Sequence, residues 1–305
     1  MFGLKDRVRG VYRTCLGILV SIVGIGKTKQ IDSLLRFGRR LDLSNPCTLA
    51  DKVSWLELNT DQKTPARLTD KYEVRKFVLE RGLGEILVPL CGGPWTDATQ
   101  VKLAELPESF ALKATHGCGM NLICKDRSVI DEEQLSKTVE GWLKKDYARA
   151  STEPHYQMIP RRVYCEQYIG STGEVIDYKF HCINGRPEFI LVCSNRQRSL
   201  RLNLYDLDWR AIDGLKGRHV NDSEVPRPET LERMRDVATA LSEGFAFVRV
   251  DLYSDAEHVR FGELTFSPAA GVFPNFSERF IREQGMKLEL PSPSERRAKG
   301  RHEED

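Results

Sequence analysis

The chain lacks a surplus of charge of either sign: 46 Lys and Arg stand against 44 Asp and Glu in 305 residues. Nothing in that balance points to a general nucleic-acid binder. It also lacks any CxxC pair, and no Cys–His spacing suits zinc, so the cysteines at 15, 47, 91, 118, 124, 165, 182 and 193 are expected to be reduced thiols, several of them buried in strands. That favours the cytoplasm. The apolar run at residues 15–26, CLGILVSIVGIG, is too short for a membrane span, which needs roughly 20 residues. It follows Lys5, Arg7, Arg9 and Arg13 and resembles the middle of a signal peptide, but Lys27 and Lys29 follow it instead of an A-x-A-like cleavage site. Two readings of it stay open: a helix packed on the protein body, or an interfacial helix with basic residues facing anionic lipid, a peripheral contact with the inner membrane. No internal repeat and no low-complexity tract precede residues 291–305, PSPSERRAKGRHEED, which have no apolar periodicity and are expected to be a disordered tail. The P-loop spacing GxxxxGK[ST] is absent too. What is present is an ordinary globular composition, 40% hydrophobic and 9% aromatic, with length enough for a large core in two or three lobes.

The stretch around which the rest is organised is residues 245–268, FAFVRVDLYSDAEHVRFGELTFSP. Apolar runs at 245–253 and 259–266 flank a polar turn at Ser254, Asp255 and Ala256, which reads as a two-stranded hairpin. Side chains two apart in a strand point the same way, so Arg249 and Asp251 share one face, and so do Glu263 and Thr265. Pairing of the strands would bring two carboxylates and a guanidinium together among apolar residues. Acids placed side by side need a cation or a basic group, and a magnesium ion held by one or two carboxylates and by substrate phosphates meets that need.

Upstream, an amphipathic helix is expected over residues 30–40, with Ile31, Leu34, Leu35 and Phe37 as its apolar stripe. A second helix is expected over 50–59, broken at 61–65, and a third over 71–81, capped by Thr69 and Asp70 and ended by Gly82. Residues 86–90 read as a strand ended by Gly92-Gly93-Pro94. Residues 110–113 form a strand ending in Lys113, and 122–125 a return strand after the loop THGCGMN at 115–121. Glycines at 117 and 119 let a backbone approach a ligand and present N–H groups to phosphate, and a strand-borne lysine beside such a loop is a recurrent way to hold a nucleotide. A helix is expected from 131 to about 150, then a strand at 161–169 carrying Glu166 in an apolar setting. Two strands over 175–193 turn at Asn184-Gly185, with Asp177 and Lys179 on one face of the first. A basic segment, Arg196, Arg198 and Arg201, precedes Asn203. It is either a solvated face or a seat for an anionic substrate or for ATP phosphates. A helix over 229–243, ended by Gly244, leads into the hairpin. Glu166 and Asp177 admit a structural reading, as acids paired with Arg161 or Arg162. His116 has no partner at usable spacing and reads as a loop donor, not a base, and nothing near Cys118 marks it as a nucleophile.

Taken in order, TLADKVSWL, TDKYEVRKFV, FALKATHGCGMN, CEQYIGSTGEVIDYKFHCINGRPEFI and VRVDLYSDAEHVRFGELTF resemble the ATP-grasp superfamily over residues 45–274, and within it the TupA-like amidoligases associated with teichuronopeptide and other cell-surface polymers. The resemblance implies an α+β fold that holds a nucleotide between two lobes, here with an N-terminal helical extension. It implies these divisions: a helical segment over 1–40, an N-terminal lobe over 41–108, a glycine-loop lobe over 109–170, a C-terminal lobe with the metal hairpin over 171–290, and a tail over 291–305. By resemblance, Lys71 and Lys113 contact ATP phosphates and Gly117 and Gly119 form the loop closing over them. The segment of Glu166, Gln167 and Ile169 reads the adenine, Asp177 binds ribose and Lys179 reaches phosphate. Arg249 and Asp251 match the R-x-D strand and Glu263 the bridging magnesium ligand. Thr265 stands where many relatives carry Asn, although TupA-like sequences themselves resemble E-L-T.

The implied activity is an ATP- and Mg²⁺-dependent ligation of a carboxylate to an amine through an acyl phosphate, joining an amino acid to an acidic sugar or polymer. Two other readings remain: a phosphotransferase acting on a sugar or lipid-linked hydroxyl, and a non-catalytic nucleotide-binding partner in a polysaccharide assembly complex.

Overall fold

The computed structural model describes residues 4–148, 151–170, 176–195, 199–254 and 257–291, the side chains of 4–10 and 13 excepted. The chain starts with a helical pair, α1 (Leu4–Val23) and α2 (Ile25–Phe37), folded back on itself so that Arg36 lies over the Tyr12 ring. The stripe expected to pack α2 faces outward instead: Leu34 and Leu35 are exposed, while Thr28, Lys29, Asp32 and Ser33 are buried. The reason is a buried ion pair. Lys29 meets Glu57 on α3 (Leu49–Asn59), and facing Glu57 forces the polar side of α2 inward. Arg39, just past α2, is likewise buried and donates to the carbonyls of Phe273 and Phe276 and to Glu278. No helix among the described residues is long and apolar enough to cross a membrane.

The capping box of Thr48 and Asp51 starts α3. α3 ends at Asn59 as expected, but the break is short: α4 (Lys63–Thr69) starts within 61–65, because Pro65 sits in a first turn, where a missing N–H costs nothing. The third helix is shorter than expected, α5 (Val74–Glu80). Asp70 accepts from the N–H groups of Tyr72 and Glu73, so Lys71 lies in a turn ahead of the helix.

The first sheet has the order β1-β4-β2-β3, all antiparallel: β1 (Leu90–Trp95), β2 (Phe110–Ala114), β3 (Asn121–Cys124) and β4 (Val163–Gln167). The strand expected over 86–90 is not formed there: Gly84–Ile86 is a 3-10 turn, and β1 begins at Leu90 and runs through the glycine-rich stretch expected to end it, taken up by register shifts against β4. β1 therefore joins the glycine-loop lobe, and the division expected at 108/109 falls inside a unit. α6 (Glu132–Lys144), capped by Asp131, covers one face with Leu135 and Val139 against Phe110, Leu112, Val163 and Cys165.

The second sheet runs β7-β6-β5-β8-β9: β5 (Ile176–Ile183), β6 (Arg186–Ser194), β7 (Arg201–Tyr205), β8 (Phe247–Ser254) and β9 (Val259–Thr265). The two-residue turn at Asn184-Gly185 falls where expected. α7 (Leu231–Ser242) seats Leu231, Met234, Val237 and Leu241 on Tyr178, Phe180, Val248 and Val250, each such burial contributing about 1.5–3 kcal/mol. α8 (Glu278–Lys287) packs on α3 and supplies Phe280 and Ile281 to the core under the opposite face. All 8 cysteines are free. Asp255, Ala256 and the expected tail lie outside the described residues, except for Pro291.

Candidate active site

Because α7 takes one face of the second sheet, the residues between its contacts point the other way. Register places Lys179 opposite Asp251, Asp251 opposite Glu263, and Arg249 opposite Thr265. Arg249 forks onto Asp251, Nε to Oδ1 at 2.6 Å and Nη2 to Oδ2 at 2.7 Å, and the same Nη2 reaches Glu263 at 3.2 Å and Thr265 Oγ1 at 3.1 Å. Lys179 lies 2.8 Å from Asp177 and also contacts Asp251. Asp177, Lys179 and Asp251 are buried, while Glu263 is about a third open to solvent. Burial alone would raise the Asp251 carboxyl, but Arg249 and Lys179 together outweigh it and hold it below the usual carboxylate range. Desolvation would lower both bases, but Asp251 and Asp177 outweigh it and raise Lys179, and Asp251, Glu263 and Asp177 do the same for Arg249.

The glycine loop faces this cluster. At Gly117 an added Cβ would lie 2.7 Å from the Tyr147 ring, and Gly119 takes φ +71°, so both positions require glycine. Lys71 donates to the Gly117 carbonyl at 2.8 Å and lies 3.9 Å from Glu263, bridging the loop and the hairpin. In the first sheet, Ala111 pairs with Glu166 and Lys113 with Tyr164, which puts Lys113 and Glu166 on the face away from α6. Glu166 is an ion-paired acid: Lys113 reaches it at 2.5 Å and Arg75 at 2.9 Å. The sequence named Arg161 or Arg162 for this pairing; Arg162 goes instead to Asp70 and Glu73. Arg75 was missed, although its spacing of four from Lys71 was a local signal.

Some expected residues are not brought to the cluster. Asn203 pairs with Val192, and Val192 with Tyr178, so Asn203 and Arg201 lie on the α7 face, across the sheet from Lys179. The Asn203 amide donates to Ser223 and accepts from Asn221, and Arg201 is exposed on the far edge strand. Arg196 and Arg198 lie outside the described residues. His116 is buried with Nε2 on the Trp142 carbonyl of α6, which turns it from the cleft, and burial lowers its pKa. The Gln167 N–H is taken by the Pro89 carbonyl, and Ile169 is half-buried just beyond β4. Cys118 is exposed as a residue, yet the protein crowding its thiol raises the pKa and Glu263 adds to the shift, which argues against a nucleophile. No local pattern singled out Glu153, which joins this region across 114 positions by accepting from Ser267, just past β9.

Among the described residues no group of three His, Cys, Asp or Glu gathers as a metal cage. The paired carboxylates of Asp251 and Glu263, with the Thr265 hydroxyl beside them, fit a magnesium ion of the kind that takes one or two carboxylates and fills its remaining positions with water and phosphate oxygens.

A sequence-family profile described as TupA-like ATPgrasp matches residues 51–288. No curated protein matches the chain. Similar solved structures include D-alanine–D-alanine ligase from Helicobacter pylori, at 13% identity and a TM-score of 0.43 over 79% of this chain and 69% of that one. The same enzyme from Bacillus anthracis, complexed with ATP, matches at 14% and 0.42 over 85% and 83%. Biotin carboxylase from Campylobacter jejuni matches at 16% and 0.42, and there 81% of this chain covers 54% of the other.

Proposed function

Since this chain belongs to the TupA-like ATP-grasp family by a match over residues 51–288, we propose that it is an ATP-dependent carboxylate–amine ligase. The observation that supports this best is the charged cluster of Lys179, Arg249, Asp251 and Glu263 lying under a glycine loop to which Lys71 ties it. A substrate carboxylate oxygen attacks the γ-phosphorus of ATP, ADP leaves, and an acyl phosphate remains. The amine nitrogen then attacks the acyl carbon and phosphate departs with the C–O bonding pair. Lys71, Lys113 and Lys179 hold phosphate oxygens, and Arg249 stabilises the charge that develops on the transferring group and then on the tetrahedral oxyanion. Asp251 and Glu263 would hold magnesium, which supplies charge neutralisation at the β- and γ-phosphates.

The substrates proposed are an amino acid and a uronic acid or acidic polymer of the cell surface, for which the family resemblance is the support. The N-terminal helices are proposed to rest on an anionic membrane. They expose Val11, Ile18, Ile22, Leu34 and Leu35, and residues 1–40 hold nine Lys and Arg against two Asp and Glu in a chain whose net charge is +2.

The test is ADP release across a library of carboxylates and amines, with hydroxylamine as interceptor. A ligase needs both substrates for net turnover and gives a hydroxamate in step with ADP. A phosphate ester without hydroxamate makes the protein a phosphotransferase, and no turnover at all makes it a binding module.

A further inference from the structure

Behind the charged cluster lies a second set of ionisable groups that the proposed chemistry does not use. Glu57 and Glu153 are both buried, at 5% and 7% exposure. Glu57 has its cation in Lys29. Lys29 also leans toward the Thr152 carbonyl, at 3.4 Å, but makes no contact with the Glu153 carboxylate. Glu153 accepts one hydrogen bond, from Ser267 Oγ at 2.7 Å, and forms no ion pair among the described residues. The one lysine of this set therefore pairs with Glu57 and leaves Glu153 without a cation. Leaving a buried carboxylate without a cation is costly, so such a carboxyl either takes up a proton or meets a positive group.

The direction from which that group arrives is set by the neighbours. Ser267 is two residues beyond Thr265, at the end of the strand that presents Glu263. After burial, Glu57, Lys29 and Ser267, Arg249 on the hairpin also acts on the Glu153 carboxyl, and after burial, Glu263 and Lys71, Glu153 acts on the Cys118 thiol of the glycine loop. The Tyr156 hydroxyl feels Glu153, Glu263 and Cys118 together. On the far side, His155 stands 4.0 Å from Glu57 with its ring against Tyr156, and burial keeps it neutral, with a pKa near 3. Glu153 thus faces Glu57, Lys29 and His155 on one side and the charged cluster on the other.

We propose that Glu153 receives the ammonium group of the amine substrate and accepts its proton, which frees the nitrogen lone pair for attack on the acyl phosphate. This rests on the ligase reading. The balance is complete: the ammonium gives one proton to the Glu153 carboxylate, the C–N bond forms as the C–O bond to phosphate breaks, and the second nitrogen proton leaves with inorganic phosphate. Glu153 later returns its proton to solvent. Burial and the charge of Glu57 push its carboxyl up to about 7 against the pull of Lys29, Ser267 and Arg249, which suits a base working near neutrality.

The test separates two nucleophiles in the full-length protein, using the carboxylate that releases ADP in the library. Glycine and methylamine arrive as ammonium ions and need a base; hydroxylamine is already uncharged at neutral pH. Glu153→Gln keeps an acceptor for Ser267. It should lower amide formation by about 10²-fold or more while hydroxamate formation stays within about threefold of wild type. Ser267→Ala, which leaves Glu153 in place, should move the pH midpoint of amide formation upward, because the carboxylate loses a donor, and should leave hydroxamate formation unchanged. Equal losses of amide and hydroxamate in Glu153→Gln with ATP still bound would make Glu153 structural, and so would wild-type amide rates in that variant or an unmoved midpoint in Ser267→Ala. A wild type that yields no hydroxamate refutes the ligase reading itself, a result distinguishable from all of these.

Discussion

Glu263→Gln should separate chemistry from folding, because its side chain is the one acid of the cluster that water reaches. The carboxylate is 36% exposed and meets Arg249 at 3.2 Å and Lys71 at 3.9 Å. Ion pairs of that exposure contribute about 0–1 kcal/mol. For a chain of this length that corresponds to a Tm change of no more than about 4 °C. The amide keeps the shape and a hydrogen-bond acceptor for Thr265 but removes the charge that holds magnesium. Losing about 3 kcal/mol of metal-borne charge stabilisation slows turnover on the order of 10²-fold. Asp251→Asn is the contrast: its carboxylate is 2% exposed and bound to both Arg249 and Lys179. Weakening it leaves two buried cations short of their partner, a change of about 3–5 kcal/mol in stability. Coupled ADP release and thermal unfolding by circular dichroism read the two effects. Full ADP release by Glu263→Gln would remove the hairpin from the chemistry, and a Tm loss as large as that of Asp251→Asn would refute the exposure argument.

Lys113→Ala should weaken ATP binding more than Lys71→Ala, since Lys113 stands on a strand beside Glu166 while Lys71 also serves to hold the Gly117 carbonyl; negligible effects of both in equilibrium titration would sink the phosphate assignment. Deleting residues 1–23 should leave a folded protein that no longer floats with anionic liposomes. Deleting 1–29 also strips Lys29 from buried Glu57, at about 3–5 kcal/mol, so equal melting temperatures for the two deletions would contradict the buried pair. His155, whose pKa falls from 6.5 to about 3 on burial, is neutral in the fold, so its share of stability is complete above 6.5 and is lost as pH falls toward 3. Urea midpoints for His155→Gln should show a shallower decline over that window, and an unchanged slope would mean that the ring titrates normally.

The parts of this protein that sequence alone determined are those whose physics is local. Alternation within β8 and β9 put Arg249 with Asp251 and Glu263 with Thr265, and pairing of the two strands follows from so short a connection. The same holds for the Asn184-Gly185 turn and for α6 and α7, whose stripes recur every three or four residues. What periodicity cannot encode is the partner that a face will meet. The apolar side of α2 was legible, but its outward orientation was decided by Lys29 finding Glu57 28 residues away. Glycine and proline were read as the end of a strand over 86–90, yet pairing with β4 placed β1 at Leu90–Trp95, on the glycine-rich stretch itself. Glu166 could be picked out as an acid in an apolar strand, and only the packing of α5 supplied Arg75 to it. Arg201 and Asn203 looked available as substrate contacts until the register of β7 assigned them to the face covered by α7. Glu153 had no local signature at all, because its place beside Ser267 exists only once segments 114 positions apart are packed together. Secondary structure and the chemistry of each strand follow from neighbours in sequence, whereas the charges that confront one another across the cleft were fixed by long-range burial, which demands a partner for every ion that it removes from water.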